Sequence, residues 1–222
     1  MKKRNKKAVL LFSGGQDSTT CLYWAKEVFQ EVMCLVLDYE QTHSIEVRRA
    51  EEIAEINGVE IEVLKVGILK QLGNSSLLKK GEPYTYENGI PSSYVPNRNQ
   101  LFITIAHAFA QKLGYGNIVL GVSQEDYSGY PDCREGFIKS IEKASNIGSN
   151  KNIGVHAPLI HKNKAETFKM ADNFSKLDEV IEKTHTCYRG VREEKHEWGY
   201  GCGDCPACKL RKNGYEEFRR AN

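Results

Sequence analysis

An apolar run, Ala8-Val9-Leu10-Leu11-Phe12, ends abruptly in Ser13-Gly14-Gly15-Gln16-Asp17-Ser18. This junction constrains the chain more than any other segment. A continuous apolar run reads as a strand buried on both faces, and two glycines after it allow a tight reversal into a helix. Backbone N–H groups at such a turn and helix start cradle phosphate. Ser13, Ser18, Thr19 and Thr20 crowd oxygen groups onto the same helix start. Asp17 repels phosphate unless a magnesium ion sits between them. No Lys-Ser or Lys-Thr closes the loop and G-x-G-x-x-G is absent, so neither the Walker loop nor the dinucleotide fingerprint applies.

The same pattern continues downstream. Val32–Leu37, Ile61–Leu64 and Asn117–Val122 read as further strands. Helical spacing separates them, with Cys21, Leu22, Ala25, Val28 and Phe29, then Val47, Ala50, Ile53 and Ala54, then Phe102, Ile105, Ala106, Phe109 and Leu113 facing inward. This alternation predicts an α/β fold, a Rossmann-like parallel sheet with helices on both faces. Ligands in such sheets bind beyond the strand C-termini, so loop 13–18, Asp38-Tyr39 and Gly121-Val122-Ser123 should share one rim. Residues 66–97 show no period and are too long for an ordinary connector, which makes a floppy insertion, a lid or a dimer contact the available readings.

With 222 residues the chain can bury a full core. We expect a nucleotide-binding α/β domain over 1–185 and a zinc-binding region over 186–222. A net charge of +2 provides no broad basic field for nucleic acid. The basic start, Lys2 to Lys7, precedes only five apolar residues, too few for a signal peptide or a membrane span. Seven cysteines in such a chain suggest metal or buried thiols in a reducing cytoplasm.

Cys202, Cys205 and Cys208 form a knuckle, G-C-G-D-C-P-A-C. A closed structural zinc site needs a fourth ligand, and Cys187, fourteen residues upstream of the knuckle, is the nearest cysteine. His185 and His196 are alternative fourth ligands, and an iron–sulfur cluster or a redox pair are alternative uses. Cys21 and Cys34 fall on core-facing positions, whereas Cys133 lies in a polar loop where a nucleophile is conceivable. Arg98 and Lys164 each open a helix, the latter behind an Asn163–Glu166 capping box. A cation beside the positive end of a helix is best explained by an incoming anion, so both suit charge stabilisation on a pyrophosphate leaving group.

S-G-G-x-D-S resembles the pyrophosphate loop of enzymes that split ATP into AMP and pyrophosphate. Taken with V-P-N-R-N (95–99), S-G-Y-P-D-C-R (128–134), P-L-x-x-x-x-K-A-E-T (158–167) and the cysteine knuckle, the sequence resembles the QueC family, 7-cyano-7-deazaguanine synthases of queuosine biosynthesis. The resemblance spans nearly the whole chain. It implies a ligase that converts 7-carboxy-7-deazaguanine and ammonia to a nitrile at the expense of ATP with magnesium, through an adenylated acid and an adenylated amide. It further implies one structural zinc on Cys187, Cys202, Cys205 and Cys208, a nucleotide site over Leu11, Phe12, Ser13, Gly14, Gly15, Gln16, Asp17, Ser18, Thr19, Thr20 and Cys21, and a cytoplasmic homodimer. Catalytic roles fall to Lys164, Arg98 and Asp17. Where the family usually reads Y-x-Q-R-H, this chain has Tyr39-Glu40-Gln41-Thr42-His43, keeping Gln41 and His43 as substrate contacts without the arginine. A carboxylate is the natural partner of a guanine-like N–H edge, so Asp126 or Asp132 would read the base, with Asp132 preferred, Tyr130 as stacking platform and Arg134 nearby. Two rival readings are a tRNA-modifying ATP pyrophosphatase with a zinc knuckle and a zinc-knuckle nucleic-acid module. The first predicts a basic face, and the second leaves 13–18, 98 and 164 without a task.

Overall fold

The computed structural model describes residues 6–39, 45–68, 85–87, 90–124 and 130–221. Gln41, His43, Asp126 and most of the 66–97 insertion therefore lie outside the described residues.

Five parallel strands form the main sheet in the order β3-β2-β1-β6-β7: β1 Lys7–Leu11, β2 Glu31–Asp38, β3 Glu60–Lys65, β6 Asn117–Val119 and β7 Gly154–His156. Two-residue strands β4 Tyr86–Glu87 and β5 Ile90–Pro91 pair antiparallel inside the insertion. Alternation along β1 and β2 divides the core. Ala8, Leu10, Cys34 and Val36 pack with Cys21, Leu22 and Ala25 of α1 (Gln16–Val28) and with Ala50 and Ile53 of α2 (Ile45–Ile56). Val9, Leu35 and Leu37 pack on the other face with Ala106, Phe109 and Ala110 of α3 (Arg98–Leu113). Helices cover both faces, as continuous apolar strands require. From β1 the chain steps outward to β2 and β3, then returns past β1 to β6, leaving a crevice at the β1/β6 switch point.

Helix α4 (Glu135–Ser149) precedes β7. After β7 come α5 (Lys164–Asn173), α6 (Leu177–Lys183), a small hairpin of β8 (Lys195–His196) and β9 (Gly199–Tyr200), and α7 (Pro206–Ala221). Phe168, Val180, Phe218 and Tyr23 form one cluster, which joins α7 to α5, α6 and α1. The expected boundary at 185/186 thus falls in a strap, Thr184–Cys187, that leads from α6 to the first cysteine.

Arg211, wholly buried in α7, holds this strap. Its Nη1 donates to Thr184 Oγ1 at 2.8 Å and Thr186 Oγ1 at 2.9 Å, Nη2 to the Val180 carbonyl at 3.0 Å, and Nε to the Trp198 carbonyl at 2.8 Å. Burial pulls the guanidinium down to about 10, so it stays charged at neutral pH. Arg211→Met should remove four buried hydrogen bonds and lower stability by about 3 kcal/mol. Urea unfolding of both proteins at equal metal content checks this, with a shift in midpoint expected.

Candidate active site

The loop after β1 is built by its own hydroxyls. Ser18 Oγ lies 3.2 Å from the Ser13 N–H, 3.1 Å from Ser13 Oγ and 3.3 Å from the Gly15 carbonyl. Gly14 has a φ of +70°, and a Cβ there would fall 2.6 Å from the Ala50 nitrogen, so α2 is seated directly on the loop. Gly15 is the N-cap of α1 and no side chain caps that helix, which leaves its first amides available to an anion.

A cavity of about 340 Å³ opens at the switch point. Its walls include Ser13, Gly15, Gln16, Asp17 and Ser18 of the loop, together with Leu11 and Phe12 behind it. Gly14, Thr19, Thr20 and Cys21, also expected at the nucleotide, are not on the wall. The Thr20 hydroxyl donates to the Gln16 carbonyl at 2.9 Å, and Cys21 is sealed in the core, where burial raises its thiol pKa. Of the expected rim, Tyr39, Gly121, Val122 and Ser123 line the same cavity, whereas Asp38 does not.

Lys164 opens α5 beside that loop. The capping box behind it is complete: Asn163 Oδ1 accepts from the Glu166 N–H at 2.8 Å and Glu166 Oε2 from the Asn163 N–H at 2.9 Å. The Lys164 ammonium is buried and donates to Asp17 Oδ2 at 2.6 Å, while Asp17 Oδ1 is buried without a partner. A Cβ on Gly214 would overlap the Lys164 Cβ, so α7 packs against this lysine as closely as backbone allows.

Arg98 opens α3 and also lines this cavity, its guanidinium 5.8 Å from the Tyr130 ring centre. Burial lowers its pKa, but Tyr39, Tyr130, Tyr188 and Asp132 outweigh that and raise it, fixing the cation. Tyr130 is anchored by Ser93, hydroxyl to hydroxyl at 2.6 Å. Asp132 and Arg134 are off the wall. Asp132 Oδ2 accepts from the Asn99 N–H at 3.1 Å and so caps α3, with Oδ1 buried and unpartnered, while Arg134 is exposed at the start of α4.

Glu46, His185 and Tyr188 are among the wall residues that the sequence pattern does not place there. His185 ties the strap to the loop: its N–H donates to the Gly14 carbonyl at 3.1 Å, and its Nε2 faces the Cys187 carbonyl at 3.1 Å. Burial pushes this imidazole down to about 4, so it is neutral.

The ligating sulfurs of Cys187, Cys202, Cys205 and Cys208 lie within 4.8 Å of one another. A tetrahedral zinc with bonds of about 2.3 Å spaces its sulfurs about 3.8 Å apart, and Cys202 and Cys208 stand at 4.0 Å. Amides also point at the sulfurs, Cys205 N–H to Cys202 Sγ at 3.4 Å and Cys208 N–H to Cys205 Sγ at 3.5 Å. The donor set fits zinc with no open position. Neither His185 nor His196 belongs to it; His196 instead turns its Nε2 to the Gly201 carbonyl at 2.8 Å.

Residues 7–219 match the family model described as Queuosine biosynthesis protein QueC. The chain belongs to the QueC family. Relatives named 7-cyano-7-deazaguanine synthase include one from Helicobacter pylori (strain P12), 50% identical over 95% of this chain and 95% of its own, and one from Wolinella succinogenes, 47% identical over 96% and 93%. Solved structures share the QueC fold at low identity. A 4-thiouridine synthetase in complex with RNA and ATP aligns with a TM-score of 0.53 and 17% identity over 96% of this chain and 53% of its own. An NH3-dependent NAD synthetase from Campylobacter jejuni aligns at 0.51 and 14%, over 80% and 68%. These neighbours show the same α/β fold with its parallel sheet. Among the described residues, no helix is long and apolar enough to cross a membrane.

Burial pushes the Glu46 carboxyl up to about 7, against a pull downward from Arg98. A carboxyl raised in the fold favours the protonated state, so its stabilisation is complete below the usual value of 4.5 and is lost as pH rises through 7. Glu46→Gln cannot ionise. Its stability should match wild type at pH 4.5, exceed it progressively up to about pH 7, and hold a constant lead above that. Paired urea titrations across this range provide the measurement.

Proposed function

We propose that the protein is a 7-cyano-7-deazaguanine synthase that works by adenylating its substrate twice at the switch-point cavity. The observation that carries this reading is the Lys164–Asp17 pair at 2.6 Å beside uncapped amides of α1, in a chain of the QueC family. Two helix N-termini and a buried ammonium face one carboxylate, and the surplus positive charge suits a polyphosphate. Asp17 Oδ1, buried and unpartnered, is the oxygen available to the magnesium of MgATP, which neutralises phosphate charge when bound.

A substrate carboxylate oxygen attacks the α-phosphorus of ATP, the bond to the β-phosphate breaks, and pyrophosphate leaves. Ammonia adds to the acyl carbon, the C–O bond to AMP breaks, and nitrogen gives up a proton. The resulting carboxamide oxygen attacks a second ATP. The C–O bond then breaks as AMP departs, and nitrogen loses its two protons to leave the nitrile. In both adenylations Lys164 and the α1 amides stabilise the charge gathering on pyrophosphate. Arg98, which also lines the cavity, meets the substrate carboxylate. The heterocycle lies against Tyr130. Glu46, which is on the wall, accepts from its N–H edge, while Asp132 holds the start of α3 in place. Cys187, Cys202, Cys205 and Cys208 hold a zinc ion that shapes the C-terminal region and takes no part in bond making. Family membership supports a homodimer, for which light scattering should give twice the chain's 25.1 kDa.

AMP release separates the readings. It should require ATP, ammonia and 7-carboxy-7-deazaguanine together, and release that follows tRNA while ignoring the deazaguanine would contradict the proposal. Lys164→Met should slow AMP release by about 100-fold or more, the loss expected for one preorganised charge stabiliser.

A further inference from the structure

Asn99, the second residue of α3, is seated on the short helical turn Pro131–Cys133. Its backbone N–H donates to Asp132 Oδ2 at 3.1 Å, and its Nδ2 donates to the Asp132 carbonyl and to Cys133 Sγ, each at 3.4 Å. A backbone carbonyl can only accept, so it fixes which end of this amide is the NH2. That leaves Oδ1 as the uncommitted end of a half-buried side chain on the cavity wall, without a hydrogen-bond partner among the described residues.

We infer that Asn99 Oδ1 is the hydrogen-bond acceptor for the nitrogen that the reaction installs, first as ammonia and then as the carboxamide. This rests on the functional reading above. The loop after β1 takes the leaving pyrophosphate, so in-line displacement places the attacking substrate oxygen on the far side of the α-phosphorus. Helices α1 and α2 cover one face of the sheet and α3 the other, so the start of α3 reaches the cavity from a different side than the loop. Arg98 and Asn99 stand there together. A carboxylate has no hydrogen and needs donors, which Arg98 supplies. Ammonia and a carboxamide carry N–H groups and need an acceptor, which a guanidinium cannot be. In the amination the ammonia lone pair forms the C–N bond, the C–O bond to AMP breaks, and one ammonia proton passes to the departing phosphate. A remaining N–H stays on Asn99 Oδ1. The same bond then holds the carboxamide NH2, which turns the carboxamide oxygen to the second ATP.

Asn99→Ala and Asn99→Leu remove the acceptor at two side-chain sizes and keep the backbone bond to Asp132. Three measurements separate the roles: ATP–pyrophosphate exchange with the 7-carboxy compound and no ammonia, amide formation against ammonium concentration at fixed pH, and single-turnover AMP release with the 7-carboxamide. Exchange should stay near the wild-type rate in both variants. The KM for ammonium should rise about tenfold and AMP release with the carboxamide should slow about tenfold, so that carboxamide accumulates. The assignment is overturned if exchange falls as far as the two nitrogen-dependent steps in both variants, which marks a packing role, or if either nitrogen-dependent step keeps its wild-type behaviour. A wild-type protein that shows neither exchange with the acid nor AMP release with the amide contradicts the functional reading itself.

Discussion

A lysine ammonium buried beside two helix N-termini, with one carboxylate for a partner, is the constraint around which the molecule is arranged. Each helix start carries about half a positive charge, so the α1 end, the α5 end and Lys164 together outweigh Asp17 by about one unit. Burying that surplus is costly unless an anion arrives, and the cavity beside it is where a polyphosphate fits. Everything nearby fixes the positions of those charges. The capping box sets the start of α5, the Ser13–Ser18 hydroxyl pair sets the start of α1, and Gly14 and Gly214 let α2 and α7 approach with nothing between.

The C-terminal region belongs to this arrangement. Helix α7 starts at the cysteine knuckle, carries Arg211 one turn after Cys208, and reaches Lys164 at Gly214. Arg211 fixes the strap through Thr184 and Thr186. The strap in turn holds the Gly14 carbonyl through the His185 N–H and ends in the ligand Cys187. Metal ligation, the buried guanidinium and the phosphate loop are therefore linked by a few direct contacts. A C-terminal region whose four cysteines fit a metal is thereby packed onto the loop after β1.

Much of this was legible in the sequence because local chemistry decides it. The apolar run and its glycines determine β1 and the loop, Asn163 and Glu166 determine the start of α5, and the cysteine spacing determines the knuckle. The last sheet strand, Gly154–His156, has three residues and one branched side chain, too little for any period to register. Arg211 sits in a run of charges that reads as solvated, although Cys208, Arg211, Gly214 and Phe218 do fall on one buried helical face. Glu46, His185 and Tyr188 reach the cavity through tertiary folding, which local pattern does not encode. Asp132 has the right chemistry for a base reader, but the pattern does not show that one of its oxygens accepts from the Asn99 N–H, a partner 33 residues away, while the other stays buried without a partner.

The central claim is that one cavity activates the same carbon twice. The direct measurement is the ratio of AMP to nitrile formed from 7-carboxy-7-deazaguanine, ATP and isotopically labelled ammonia, with the product followed by mass spectrometry. The account requires two AMP for each nitrile, with the label retained in the nitrile and the carboxamide passing through as an intermediate. One AMP per product molecule, or a reaction that stops at the carboxamide with ATP still in excess, would contradict it.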